Sequence, residues 1–229
     1  MGVCRTGANP VEATICNRAR LSNEPETLRE TFGAKWLTER PLDNRFNWRE
    51  LTPRSRAYVV RENDHGRGID IMSWDVLGGQ APYPMTNVRN LHLPQWKKLA
   101  ALPENRCIVP LTEFCEWTPQ SFDLGDGKKP CKGEMWFAVP DQPIFGVAGF
   151  WQTGAKGNGF TMVTCDANPL VAAVHPKAMI TILKVEDWDR WLQGSYEDVV
   201  ALQQPYPAER MTERGPVFPT REPQSGAAS

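Results

Sequence analysis

Histidine is scarce in this chain, with three widely scattered copies in 229 residues, and the six cysteines at positions 4, 16, 107, 115, 131 and 165 include no Cys-x-x-Cys pair. Zinc-type ligand spacing is therefore absent, and no metal or other cofactor is implied. No apolar run approaches the roughly 18 residues that mark a membrane-spanning helix, so no membrane partner is expected. Residues 1–15 lack both a basic start and an apolar stretch, which excludes a secretory signal and leaves a cytoplasmic protein with reduced, mostly core thiols as the expectation. An excess of charge is also missing: 26 Lys and Arg against 27 Asp and Glu leave a net −1, which argues against coating nucleic acid by bulk electrostatics. There is no internal repeat, and the strands do not alternate with helices as a parallel sheet requires. What is present is an ordinary composition, 41% hydrophobic and 23% charged, on a chain long enough for one domain with a substantial core.

The most informative stretch is Arg-Cys-Ile-Val-Pro-Leu-Thr-Glu-Phe-Cys-Glu-Trp over residues 106–117. An apolar, strand-like run ends there in two carboxylates set between aromatic rings. Glu116, between Cys115 and Trp117, would be desolvated if buried, which raises a carboxyl pKa and suits it to proton transfer near neutral pH. Strand alternation could instead turn a lone glutamate to solvent, and the stretch by itself leaves both readings open. A second feature is a local excess of arginine over residues 45–61: Arg45, Arg49, Arg54, Arg56 and Arg61 against the single acid Glu50, interleaved with Phe46, Trp48 and Tyr58. Arginine with aromatics is what a single-stranded nucleic-acid groove uses, for phosphates and base stacking respectively; a solvated loop and strand face is the alternative.

Read in order, residues 1–15 are small, polar and aperiodic and are expected to be a disordered or removed leader. A helix is predicted at about 25–32, with Pro25 in its first turn and Gly33 at its end, and residues 57–61 and 69–74 read as a hairpin around the turn at 63–68. The Gly- and Pro-rich residues 78–84 form a surface crossing, and residues 93–102 have helical spacing. Beyond a polar loop at about 119–133, strands are predicted at 135–139, 144–151, 160–164 and 179–183. A helix follows at 185–192, and another starts at Ser195, with Asp198 in capping-box register. From residue 205 the Pro, Arg, Glu and Ser content reads as a Pro-rich C-terminal tail. The domain is thus placed at 16–204, as a single α+β domain.

Four blocks met in order resemble the SRAP family, the SOS-response-associated peptidases also described as abasic-site processing, DNA–protein cross-linking proteins. They are Cys16-Asn-Arg18, Thr86-Asn-Val-Arg89, the strand ending Glu113-Phe-Cys-Glu-Trp117, and Ala167-Asn-Pro-Leu-Val-Ala-Ala-Val-His-Pro-Lys-Ala-Met179 followed by Glu186-Asp-Trp-Asp-Arg-Trp-Leu192. The resemblance implies a β-barrel-like core of mostly antiparallel strands with several short flanking helices. It also implies a catalytic set of Cys16 as nucleophile with Asn87, Glu116 and His175, DNA-contacting Arg18 and Arg89, and Trp74 and Trp117 lining the DNA cleft. The implied partner is single-stranded DNA containing abasic sites, bound by a monomer. The implied activity is covalent capture of the abasic site through a thiazolidine.

One departure bears on that chemistry. The family begins Met-Cys, so that loss of Met exposes the cysteine amine, whereas here Cys16 follows fifteen residues, with Ile15 where the family has its Met. An internal cysteine gives an aldehyde only a reversible hemithioacetal. Asn17 stands where Gly is common, Val88 replaces Ala, and the His-x-Arg-Met-Pro form becomes His175-Pro-Lys-Ala-Met179-Ile180. A cysteine-type peptidase that releases its own leader, and a non-covalent reader of single-stranded or modified DNA, are the alternatives.

Overall fold

The computed structural model describes residues 17–38 and 46–218. The chain enters it through a three-residue strand, β1 (Arg18–Arg20), and a helix, α1 (Thr27–Phe32), which Gly33 ends in the left-handed conformation at φ 59°. Only glycine adopts that conformation freely, so the helix stops where the sequence predicts. Two short strands follow, β2 (Lys35–Trp36) and β3 (Glu50–Leu51), and then the predicted hairpin of β4 (Arg56–Asn63) and β5 (Gly66–Ser73), paired from Arg56↔Ser73 to Asn63↔Gly66. A crossing over residues 74–86 leads to β6 (Asn87–Val88) and to α2 (Pro94–Ala101), with proline in the first turn where its missing N–H costs nothing.

Strands β7 (Arg106–Leu111) and β8 (Glu113–Phe122) are separated only by Thr112. Its N–H and hydroxyl both donate to the Arg20 carbonyl, at 2.7 and 3.1 Å, and its oxygen accepts from the Ser22 N–H at 3.1 Å. The run read as one strand therefore bends into two, with no glycine or proline to mark the corner. The strand also continues past Trp117, through a bulge that accommodates Pro119. The loop expected at 119–133 shrinks to 123–130, because the polar residues after Trp117 sit on an exposed ribbon with β9 (Cys131–Ala138). The remaining elements are β10 (Phe145–Gly154), β11 (Gly157–Cys165), α3 (Pro169–Ala172), β12 (Met179–Ile180), β13 (Ile182–Leu183), α4 (Trp188–Gln193), α5 (Tyr196–Leu202) and β14 (Thr212–Val217).

Strands β11, β10, β7, β4 and β5 are neighbours in that order, and a parallel contact of Ser73 with Gly159 brings β5 back to β11, closing a five-strand barrel. Gly159 permits the closure: a Cβ there would stand 2.1 Å from the Asp75 carbonyl oxygen. The second sheet runs β14-β9-β8-β1-β3 and is antiparallel throughout. Alternation on the shared strands divides the core. Val59 and Val109 join Ala19, Phe114 and Phe137 of the second sheet, while Tyr58, Val60 and Ile108 join Phe32, Leu99, Trp191 and Val199 from the helices. Each such fully buried side chain contributes about 1.5–3 kcal/mol. Arg106, buried on β7, donates to the carbonyls of Ala100, Trp191 and Gly194 at the C-terminal ends of α2 and α4, where helix dipoles favour a cation. The fold is α+β, with a barrel of mostly antiparallel strands and short flanking helices.

The expected boundary at 204 falls short. Tyr206 and Met211 are buried in the core, and β14 pairs with β9 from Thr212↔Ala138 to Val217↔Glu134. All six residues of β14 are exposed, so no apolar alternation marks the strand and its composition resembles that of a tail.

Candidate active site

Glu116 is carried by β8 on the same face as Phe114 and Thr118, all three buried, with Glu116 only 2% exposed. The open question of its orientation is thereby answered: the side chain turns inward. Register then places its neighbours. Arg18 pairs with Cys115, so in an antiparallel ladder Asn17 stands opposite Glu116. The Thr86 hydroxyl donates to Asn17 Oδ1 at 3.2 Å, and the Asn87 amide donates to Thr86 Oγ1 at 3.2 Å. The segment bearing Asn87 is thus tied to the start of β1, at the end of the sheet where Glu116 lies. Cys16 precedes Asn17 directly but lies outside the described residues, as do the leader and Arg45.

His175 lies between α3 and β12. Asn168 caps α3, its Oδ1 accepting from the Val171 N–H at 2.9 Å, and the His175 N–H donates to the Val171 carbonyl at 2.8 Å. The imidazole Nδ1 lies 2.9 Å from the Ala178 carbonyl oxygen. A carbonyl only accepts, so Nδ1 carries a proton in this bond. Nε2 is buried and has no hydrogen-bond partner among the described residues. Val174, next to His175, and Met135, opposite Glu116, pack on the same apolar cluster as Phe114.

The expected DNA contacts fare differently. Trp74 is wholly buried at 0% exposure, stacked parallel to Phe160, and its Nε1–H donates to the Thr86 carbonyl at 2.9 Å. It cannot line an open cleft, and it fixes Thr86 beside Asn87 instead. Trp117, one residue beyond Glu116, is 37% exposed. Arg18 forms ion pairs with buried Glu134 and with partly exposed Glu50, the latter at 3.2 Å. Arg20 lies 3.7 Å over the Trp136 ring and also pairs with Glu50. The guanidinium of Arg89 donates to the carbonyls of Cys165 and Lys177, at 2.9 and 2.6 Å, and pairs with Asp166. Of the basic run, Arg49, Arg54 and Arg61 are paired with Glu24, Asp75 and Asp70, and Arg56 lies over Phe46 at 5.1 Å.

Sequence reasoning missed several supporting groups. Thr86 gives no signal beyond its neighbour. Asn168 followed by proline has the form of a helix cap and could have been found that way. Tyr206, whose carbonyl accepts from Asn168 Nδ2 at 2.7 Å and whose hydroxyl accepts from Gln142 at 2.8 Å, is hidden in a tail-like composition. Among the described cysteines, burial pushes the thiols of Cys107 and Cys115 far up and that of Cys165 to about 11, so none of these three is a thiolate at neutral pH. No helix among the described residues is long and apolar enough to cross a membrane.

Comparison with known proteins agrees with the fold. Residues 15–217 match the family described as SOS response associated peptidase (SRAP). Three solved structures share the fold. A Bacteroides thetaiotaomicron protein is 20% identical, with TM-score 0.70 over 86% of this chain and 90% of its own. A Bordetella bronchiseptica protein is 23% identical, with TM-score 0.66 over 86% and 98%. A phage-related protein of the same bacterium is 18% identical, with TM-score 0.66 over 90% and 95%. No curated protein sequence matches the chain. Because that match spans nearly every described residue, the chain belongs to the SOS response associated peptidase family.

Proposed function

We propose that the protein captures abasic sites in single-stranded DNA through Cys16 once that residue is N-terminal. Family membership ties the chain to the SOS response and hence to DNA damage; the abasic aldehyde as target is our reading. The observation that supports it is the register of β1 on β8, which sets Asn17, the residue after Cys16 in the sequence, opposite buried Glu116. The ring-opened abasic deoxyribose offers an aldehyde. The Cys16 α-amine adds to its carbon, and water leaves as the imine forms, with Glu116 delivering the proton to the departing hydroxyl. The Cys16 sulfur then adds to the imine carbon, the nitrogen takes up a proton, and a five-membered thiazolidine results, for a net loss of one water. Closure from one residue is intramolecular and fast. The His175 Nε2 lone pair accepts the thiol proton, and Asn87 holds the amine or sugar through its amide. Phosphates reach Arg18 by displacing its exposed partner Glu50.

Support for a removable leader comes from the family match, which starts at residue 15, one position before Cys16. The peptidase in the family's description fits release of that leader by hydrolysis at the same site. The non-covalent reading is less well supported, because Arg49, Arg54 and Arg61 already have acid partners. The test mixes an abasic single-stranded oligonucleotide with the full-length protein, a version starting at Cys16, and that version with Cys16→Ala. A denaturant-resistant adduct is expected from the second alone, or from the first only where mass spectrometry finds its leader gone. An intact full-length protein giving a heat-stable adduct defeats the ring-closure mechanism, and salt-sensitive retention surviving Cys16→Ala without any adduct favours the non-covalent reader.

A further inference from the structure

We infer that Glu50 is an internal stand-in for a DNA phosphate, held between Arg18 and Arg20 in the free protein, and that it weakens the hold on undamaged single strands. The class of ligand rests on the function proposed above; the convergence of the two arginines does not.

The site is set by register. Arg20 and Glu50 are direct partners across β1 and β3, and Arg18 lies two residues earlier on the same face. Each arginine directs Nη2 at the one carboxylate: Arg20 donates to Glu50 Oε1 at 3.1 Å, and Arg18 to Oε1 and Oε2 at 3.4 and 3.2 Å. Two guanidinium forks meeting on a single anion suit a pair of phosphate oxygens equally well. Both forks are anchored from behind. Arg18 Nη1 is paired with Glu134, whose other oxygen accepts from the Trp136 indole at 3.0 Å, and the Arg20 guanidinium lies 3.7 Å over the Trp136 ring. Glu134 is buried, so it stays with Arg18; separating the two would strand a buried charge. The Glu50 side chain, by contrast, is 40% exposed, and exposed ion pairs are weak enough to exchange. It also borders an open cleft of about 410 Å³ lined by Thr52, Arg54 and Arg56, which gives a displaced carboxylate room to turn away. Glu113 belongs to the same cluster, 3.8 Å from Arg20 and 2.9 Å from Arg214. Three arginines thus meet three glutamates, and a phosphate diester carries the same single charge as the carboxylate it replaces, so the exchange leaves the cluster neutral. Trp117, partnered with Glu134 across β8 and β9, shares that face.

A strand must therefore evict Glu50 before it is held, and retention comes to depend on the covalent step. The test measures Kd of the full-length protein for an undamaged oligothymidylate by fluorescence anisotropy across a salt series. Glu50→Gln is expected to tighten binding roughly fivefold at about 0.1 M salt and to steepen the salt slope by about 0.7, the contribution of one further phosphate neutralised on a single strand. A lost negative charge also acts at a distance, and two comparisons separate contact from field. In an Arg18→Gln/Arg20→Gln background, the same Glu50→Gln change is expected to alter Kd by less than about twofold, because the groups it competes for are gone; equal tightening there overturns the inference. Glu50→Asp keeps the charge but, one methylene shorter, no longer reaches both guanidiniums, so it too is expected to tighten binding, and wild-type affinity in that variant overturns the inference. Circular dichroism establishes that the variants are folded, and Glu50→Asp carries the comparison should the double arginine variant unfold. Unchanged or weaker binding by Glu50→Gln, or no binding by any of the proteins, overturns it as well. Adduct formation on an abasic oligonucleotide is followed in parallel: if wild type forms none, the function proposed above fails while the Kd comparison still decides the role of Glu50.

Discussion

A histidine whose Nδ1 is committed to a carbonyl has one nitrogen left for chemistry, and in this protein that nitrogen is buried. On the function proposed above, removing it is expected to leave binding intact and to slow proton transfer. His175→Gln is expected to lower the adduct rate by about 10²–10⁴-fold, the usual contribution of a general acid or base. Glu116→Gln, which keeps shape and hydrogen-bonding capacity but cannot deliver a proton, belongs in the same range; single-turnover kinetics on abasic oligonucleotide measure both, and a rate within threefold of wild type for either removes that residue from the mechanism. The thiols supply a further check. At pH 8, alkylation followed by peptide mapping should leave Cys107, Cys115 and Cys165 unmodified in the native state and modify them in denaturant, because burial holds all three protonated. At this scale the sequence was legible in part: Glu116, open to two readings in the sequence, is buried, and Asn87 is tied through Thr86 to Asn17. Trp74 was not, because an indole ending an apolar strand reads equally as a stacking platform and as a core residue, and only its neighbours Phe160 and Thr86 decide between them.

Among the elements, α5 carries the clearest titration. Its capping box joins the Ser195 oxygen to the Asp198 N–H and the Asp198 carboxylate to the Ser195 N–H. The Arg190 hydrogen bond first, and the Ser195 bonds after it, hold the Asp198 pKa down at about 2 against an ordinary 3.8. A carboxylate whose pKa is depressed by folding stabilises the folded state above the ordinary value, and that contribution disappears as pH falls toward the folded one. The stability difference between wild type and Asp198→Asn is therefore expected to be constant above pH 4 and to shrink between about pH 4 and pH 2 in urea titrations. Ser195→Ala should cost about 1 kcal/mol at neutral pH. This helix, the Gly33 stop and the β4–β5 hairpin could be read in advance because each has a local signature. The corner between β7 and β8 could not, since Leu-Thr-Glu contains no breaker and the bend is imposed by the Arg20 carbonyl, distant in sequence.

For the molecule as a whole, the informative region is the C-terminal segment. Ending the chain after Gln204 would strip Tyr206 and Met211 from the core and leave β9 with an unpaired edge. Two buried side chains at about 1.5–3 kcal/mol each convert, for a domain of this size, to a fall in Tm of roughly 10 °C, with added aggregation; calorimetry decides, and an unchanged Tm would mean that the segment is not integral to the domain. Because Asn168 would lose its Tyr206 acceptor, the same truncation should also loosen the cap that leads to His175. None of this was legible, since a strand exposed on every residue leaves no pattern to recognise.

The corner at Thr112 carries one more consequence. Side chains on a strand alternate between faces, so adding or removing a single amino acid between Leu111 and Glu113 would turn the whole of β8 over. Glu116 would swing to the other face and its neighbours Cys115 and Trp117 would exchange faces with it. A change in length at the 123–130 hairpin tip would leave this register alone, whereas an odd-numbered insertion or deletion at the bend would turn the carboxyl away without altering one letter of its motif.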